Sequence, residues 1–303
     1  MTTSTFKRGL NEEFVNRLNE MHRDGGWWPT MVEDKRLPIT IRDNYINVYY
    51  QGCSVLKLSW SQGKIAREIH YKYLLKPSID GSEYIGFGES GPKLPTDLKN
   101  IFLEDLDNVG ELKRAVTPYA GLEKKGVHDV VVGGKNPNVV DLEVAIGEGK
   151  SVPRMDLAAF ARDNDRSGTV RLVFYEAKHF QNPELRSRTD TIPVVDQMDR
   201  YSKLIHGNRD ALLESYREVC RNLSELEGVG QQNSERHTIL RDIATGSVEL
   251  LIDDQPRLIV FGFDRDQRDG NIWGRNKARL TDKLSEDRTL FVGNARNVRL
   301  DRR

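Results

Sequence analysis

Two acidic residues and a lysine interrupt apolar stretches of this sequence in a pattern that could bind a cation and act on water. Asp156 stands in Arg154-Met155-Asp156-Leu157, and twenty residues after it comes Glu176, in Val173-Phe174-Tyr175-Glu176-Ala177-Lys178. Both segments read as strands. A carboxylate inside a buried strand is costly unless it is paired or binds a cation. Two such carboxylates on adjacent strands can face each other and chelate a hard ion such as magnesium. Side chains alternate across a strand, so Lys178 projects from the same face as Glu176. An ammonium beside the ion would help orient or deprotonate water and would stabilise charge developing on a phosphoryl group.

The Glu-x-Lys triplet alone carries little, because it recurs at Glu33-Asp34-Lys35, Glu111-Leu112-Lys113, Glu123-Lys124-Lys125 and Glu148-Gly149-Lys150. Those copies lie in polar or helical surroundings. Only Glu176-Ala177-Lys178 ends an apolar strand with a strand-borne aspartate upstream; the bland alternative is a cross-strand surface ion pair. A second feature lies downstream. Gln197 and Tyr201 stand four apart on a predicted helix, hence on one face, and both suit hydrogen bonds to phosphate or bases. The ordinary alternative is an amphipathic helix with Gln197 exposed and Tyr201 half-buried. A third feature is the segment Val139 to Ile146, which carries Asp141 and Glu143 about fifteen residues before Asp156. It reads either as a strand or as a short helix. If it is a strand, both acids share a face and either could hold the water ligands of a metal or a second ion; Glu143 is the choice, and a solvated acidic face is the alternative.

An upstream acid, an aspartate in one strand, E-x-K in the next and Q-x-x-x-Y on a following helix resemble the PD-(D/E)xK nuclease superfamily, and the Q-x-x-x-Y element is similar to that of its RecB-like branch. The resemblance covers about Val139 to Leu204. It implies a restriction-endonuclease-like core, that is, a mixed central sheet flanked by helices. It also implies hydrolysis of phosphodiester bonds in DNA, and dependence on magnesium, with manganese as the substitute. By the same resemblance Asp156 and Glu176 bind the metal with Glu143 assisting, Lys178 positions water, and Gln197 and Tyr201 contact substrate or support Lys178. Met155 stands where the motif's proline is often found; the nearest proline is Pro153.

These residues need a scaffold, and the sequence supplies an α/β one. Residues 1–95 read as a helix (Leu10 to Arg23, closed by Gly25-Gly26) followed by an antiparallel β-meander. Its strands are Pro38 to Ile41, Tyr45 to Tyr50, Val55 to Trp60 and Ile65 to Leu75, with turns at Asp43-Asn44, Gln51-Gly52 and Gln62-Gly63. Residues 76–95 read as a linker. Residues 96–303 read as the catalytic domain. It has helices over Leu98 to Tyr119, Val194 to Leu204, Asp210 to Leu226 and Asn276 to Leu284, and strands over Met155 to Phe160, Arg171 to Ala177, Glu249 to Ile252 and Leu258 to Phe263. Trp27, Trp28, Tyr45, Tyr49, Tyr50 and Trp60 could stack on bases, although sheet core or cross-strand pairing is the more usual role. Lys178, His179, Arg186 and Arg188 could line a substrate groove, but His179 points away from the face of Lys178.

Composition narrows the class. Lysine plus arginine equals aspartate plus glutamate, 46 each, so a nucleic-acid contact must use a local basic strip or a partner. The two cysteines, Cys53 and Cys220, exclude a disulfide framework and a cysteine metal cluster. No apolar run is long enough for a membrane span and Met1 to Leu10 has no secretory h-region, so the expected compartment is cytoplasmic. No P-loop occurs, so any motor or sensor function would come from a partner protein. A role in bacterial defence against foreign DNA follows by analogy alone. The competing expectation is a non-catalytic nucleic-acid-binding or assembly subunit that retains the nuclease fold.

Overall fold

Asn11 opens the first element: its side chain accepts a hydrogen bond from the Phe14 N–H at 2.8 Å and caps α1 (Glu12–Asp24). Gly25, at φ 86°, ends that helix. The computed structural model describes residues 6–73, 87–88, 91–92, 108–147, 152–163, 166–187, 189–229 and 234–300. A second helix, α2 (Trp27–Glu33), follows where sequence reading gave only aromatic residues; Trp28, Met31 and Val32 form its buried side.

The meander is present as β1 (Ile39–Ile41), β2 (Tyr45–Tyr50), β3 (Cys53–Ser61) and β4 (Lys64–Glu68), paired antiparallel in that order. Both two-residue loops, Gln51-Gly52 and Gln62-Gly63, hold positive φ at both positions. That conformation matches the twist of the flanking strands in a tight hairpin. The last strand is shorter than expected. After Glu68 the chain turns through a single 3-10 turn (Tyr71–Tyr73), and Tyr73 is buried with its ring 5.5 Å from that of Tyr119. The linker expected over residues 76–95 and the start of the helix expected from Leu98 lie outside the described residues, apart from the paired two-residue strands β5 (Phe87–Gly88) and β6 (Gly91–Pro92). Of that helix, α3 (Val109–Val116) is described.

The larger sheet is mixed and six-stranded. It contains β7 (Val139–Ala145), β8 (Arg154–Arg162), β9 (Thr169–His179), β10 (Glu249–Ile252), β11 (Arg257–Phe261) and β12 (Thr289–Val292), in the order β12-β11-β9-β8-β7. The β7-β8-β9 part is antiparallel, while β10 and β11 run parallel to successive halves of β9 on its other edge. Helices α5 (Pro193–Gly207), α6 (Arg209–Glu225), α7 (Ser234–Thr245) and α9 (Asn271–Leu284) contribute Met198, Tyr216, Ile243 and Leu280 to the core that contains Leu172 and Phe174. The same cluster includes Phe14, Ile46 and Leu58 from the first part of the chain. Helix α4 (Leu122–Val132), not anticipated from sequence, covers the opposite face with Val127 and Val130 against Tyr175 and Phe261, joined by Val298 and Leu300. Between β11 and α9 lies the short α8 (Arg265–Asp269). Among the described residues no helix is long and apolar enough to cross a membrane.

Gly126 marks how closely α4 sits on the sheet: a Cβ there would lie 2.0 Å from the ring of Phe261. Gly126→Ala is therefore expected to destabilise the fold by about 1–3 kcal/mol through overpacking, read as a lower urea midpoint with an unchanged m-value.

A buried ion network ties the first sheet to β7. Asp141 bonds the Arg42 guanidinium with Oδ1, and its Oδ2 accepts from Arg8 Nε at 3.3 Å and Tyr216 Oη at 3.0 Å. Arg42 also donates to the Leu142 carbonyl and, at 3.1 Å, to Tyr49 Oη. Burial pushes the Tyr216 phenol well up, and neighbouring Asp141 pushes it further.

Candidate active site

Strand register lines up three acids. β7 and β8 pair as Leu142↔Leu157 and Val144↔Met155, which sets Glu143 across from Asp156. β8 and β9 pair up to Leu157↔Tyr175, one step before Asp156 meets Glu176. Glu176 and Lys178 share the face of Leu172 and Phe174, under α5, as the alternation of β9 requires.

The contacts are specific. Asp156 Oδ2 accepts the Ala177 N–H at 2.7 Å. Glu176 Oε1 accepts from Gln197 Nε2 at 3.0 Å and lies 2.9 Å from Lys178 Nζ. Glu176 Oε2 is buried without a hydrogen-bond partner. Gln197 Nε2 also reaches Tyr201 Oη at 2.7 Å, and Tyr201 donates to the Arg154 carbonyl at 2.6 Å. Gln197 and Tyr201 do share one helix face, but they brace Glu176 and β8. Tyr201 is buried and Gln197 half-buried.

Glu143 is half-buried at the edge of this row, with Oε2 4.0 Å from Arg154 Nη1. Its φ of 51° places a non-glycine residue in the left-handed region within a strand. Such strain costs on the order of 1–3 kcal/mol and concentrates at functional sites. Asp141 does not join the row; its oxygens are taken up by the ion network described above.

The electrostatics follow from crowding. Asp156 keeps part of its surface open, yet the protein packed around its carboxyl pushes its pKa well up, and Glu176 and Glu143 push it further; the Ala177 N–H and Lys178 offset only part of this. Burial also raises Glu176, against the pull of Lys178, Tyr201 and Gln197. Burial disfavours the Lys178 ammonium, but Glu176 and Glu184 outweigh it and hold the group charged far above neutral pH. Lys178 thus carries a positive charge that can orient water.

Glu184 is the residue that sequence reading missed. It lies in the 3-10 turn Pro183–Leu185, capped by the Asn182 side chain, with Oε2 2.7 Å from Lys178 Nζ. A lone glutamate in a loop gives no periodic signal; its approach depends on how the chain turns after β9. Glu184→Gln is expected to let Lys178 titrate at lower pH than in the wild type. This can be followed by carbon-13 NMR of labelled lysine side chains, and an unmoved Lys178 resonance would contradict the assignment.

The other basic residues have different fates. His179 lies on the opposite side, edge-on to the ring of Phe261 with centroids 5.9 Å apart, and its backbone N–H donates to Glu123. Arg186 donates to the carbonyls of Phe180 and Gln181, bracing its own loop. Arg188 lies outside the described residues. None of Trp27, Trp28, Tyr45, Tyr49, Tyr50 and Trp60 is exposed.

Among the described residues, no group of three or more histidine, cysteine, aspartate or glutamate side chains is gathered for a metal. Magnesium does not require one: it commonly uses one or two carboxylates and keeps water or phosphate in its other positions. The residues present fit that pattern, because Glu176 Oε2 lacks a partner and the two facing carboxyls are costly to ionise without a cation. No family model, curated protein or solved structure matches this chain.

Proposed function

We propose that this chain is a magnesium-dependent nuclease of the PD-(D/E)xK type, close to the RecB-like branch, that hydrolyses phosphodiester bonds in DNA. The observation that carries the reading is the meeting of Asp156, Glu176 and Lys178 on one sheet face, with a buried carboxylate oxygen left unpartnered. The order α4-β7-β8-β9-α5, with Gln197 and Tyr201 bracing Glu176 from α5, supports it further.

In this reading Asp156 and Glu176 hold magnesium, for which manganese can substitute, and Glu143 assists from the strained edge of β7. The ion, when bound, lowers the pKa of water and neutralises phosphate charge. Lys178 orients the attacking water and meets charge developing on the phosphoryl oxygens. Glu184 and Glu176 keep that lysine charged and in place, and Gln197 and Tyr201 fix Glu176. A partner protein would supply any ATPase or sensor function, as in a multi-subunit defence or restriction system.

The second reading, a non-catalytic binding or assembly subunit, draws on the same contacts. Lys178 already satisfies Glu176 Oε1 and Glu184, so these side chains neutralise one another in part without an ion. Incubation with linear duplex, circular duplex and single-stranded DNA and with RNA, with and without magnesium, separates the two. The nuclease reading expects cleavage of DNA only with the metal, lowered about 10²–10³-fold in Lys178→Ala. No cleavage of any substrate would favour the scaffold.

A further inference from the structure

A chain with no net charge needs a local cationic surface to hold a polyanion, and α9 has one. Its residues include four basic side chains, Arg275, Lys277, Arg279 and Lys283, and a single acidic one, Asp282. Lys277 turns toward the ring of Phe291, 5.1 Å away. The other three stand at i, i+4 and i+8, along one side of the helix. Arg275 and Lys283 are exposed and Arg279 is half-buried. Among the described residues none of the three is ion-paired to a carboxylate, although surface ion pairs are frequent elsewhere in the molecule.

Position ties this stripe to the site. Arg279 Nη1 donates to the Ser187 carbonyl at 2.6 Å and Nη2 to that of Thr189. These carbonyls belong to the loop that leads from Glu184 to α5. Helix α9 also lies against α5, which carries Gln197 and Tyr201. The geometry points to a contact surface for the phosphate backbone of double-stranded DNA along Arg275, Arg279 and Lys283, which delivers the duplex to the Asp156, Glu176 and Lys178 site; this deepens the nuclease reading and rests on it.

The dimensions agree. Eight residues of helix rise about 12 Å, roughly three to four phosphate steps of about 3.4 Å along one strand of a duplex. A duplex is favoured over a single strand by what accompanies the charges. Single-strand grooves add aromatic platforms for bases, whereas here Trp273 is buried, Phe291 is half-buried and the exposed apolar side chain is Ile272.

The test is fluorescence anisotropy of a labelled duplex with the full chain in a metal chelator, across a salt series. Arg275→Ala/Lys283→Ala is compared with wild type, leaving the loop anchor Arg279 intact; Lys64→Ala, exposed on β4, is the control. The double variant is expected to bind about 10-fold more weakly at low salt, and the slope of log K against log salt should fall by nearly 2. The control should match wild type. Unchanged affinity and slope, or tighter binding of single strands or RNA than of duplex DNA by wild type, would overturn the surface. Duplex binding that needs the stripe, combined with no cleavage in magnesium, would instead remove the nuclease reading and leave the surface standing.

Discussion

Asp156→Asn is expected to lower magnesium-dependent cleavage by at least about 10³-fold while making the metal-free protein harder to unfold. The first effect follows from losing one of the two carboxylates that would hold the ion, since a metal contributes several kcal/mol to the transition state and about 4 kcal/mol is 10³-fold. The second follows from crowding: burial, Glu176 and Glu143 all disfavour the ionised Asp156. Asparagine keeps an oxygen to accept the Ala177 N–H, which now reaches Oδ2 at 2.7 Å, and removes the charge. A gain on the order of 1–2 kcal/mol is expected, in the range of relieving one poorly compensated buried polar group. The pH dependence has a definite sign. Because the folded-state pKa of Asp156 is raised, the folded protein binds more protons than the unfolded chain above the ordinary carboxylate range. Its contribution to stability is complete below that range and is lost as pH rises through the raised value. Chemical denaturation of wild type without metal should therefore show stability falling with pH across that window, and Asp156→Asn should flatten the fall. A variant that loses both activity and stability would contradict this account of the site.

Asp141→Ala is expected to behave in the opposite way, costing about 3–5 kcal/mol of stability. Removing one member of a buried ion pair leaves the other charge uncompensated, and here Arg42 is 4% exposed and Asp141 2%. Arg8 and the Tyr216 hydroxyl also lose their acceptor. The loss should appear in the urea midpoint, with cleavage per folded molecule retained at low temperature. Selective loss of cleavage at full stability would instead mark Asp141 as a metal ligand. The contrast separates two acids fifteen residues apart on neighbouring strands, Asp141 in a structural ion network and Asp156 in the candidate site.

That contrast also measures what the sequence could reveal. The grouping of the candidate site was legible because its residues are locally improbable: Asp156 and Glu176 break apolar strands, and Gln197 and Tyr201 keep helical spacing after them. The hairpins were legible from their glycines, since Gly52 and Gly63 supply positive φ in two-residue loops. Which of Asp141 and Glu143 lies beside Asp156 could not be read from alternation, which places both on one face; Arg8, Arg42 and Tyr216 from distant segments take up Asp141, and the register of β7 sets Glu143 across from Asp156. Glu184 was hidden because a loop path, and not a period, brings it to Lys178. Helix α4 was passed over because Glu123-Lys124-Lys125 stood out only as one of several Glu-x-Lys copies, yet the next residue, Gly126, is what lets the helix close onto Phe261. In the tight row of Asp156 and Glu176, tertiary register decides which carboxyls crowd one another.

Titration of magnesium into the full chain by calorimetry, in two buffers of different ionisation enthalpy near neutral pH, tests the central claim most directly. Carboxyls with raised pKa must give up protons to bind a cation. The wild type is therefore expected to bind one ion with a heat that depends on the buffer and an affinity that rises with pH, and Asp156→Asn and Glu176→Gln should abolish the binding. An isotherm unchanged by both substitutions, or no binding by the wild type, would contradict it.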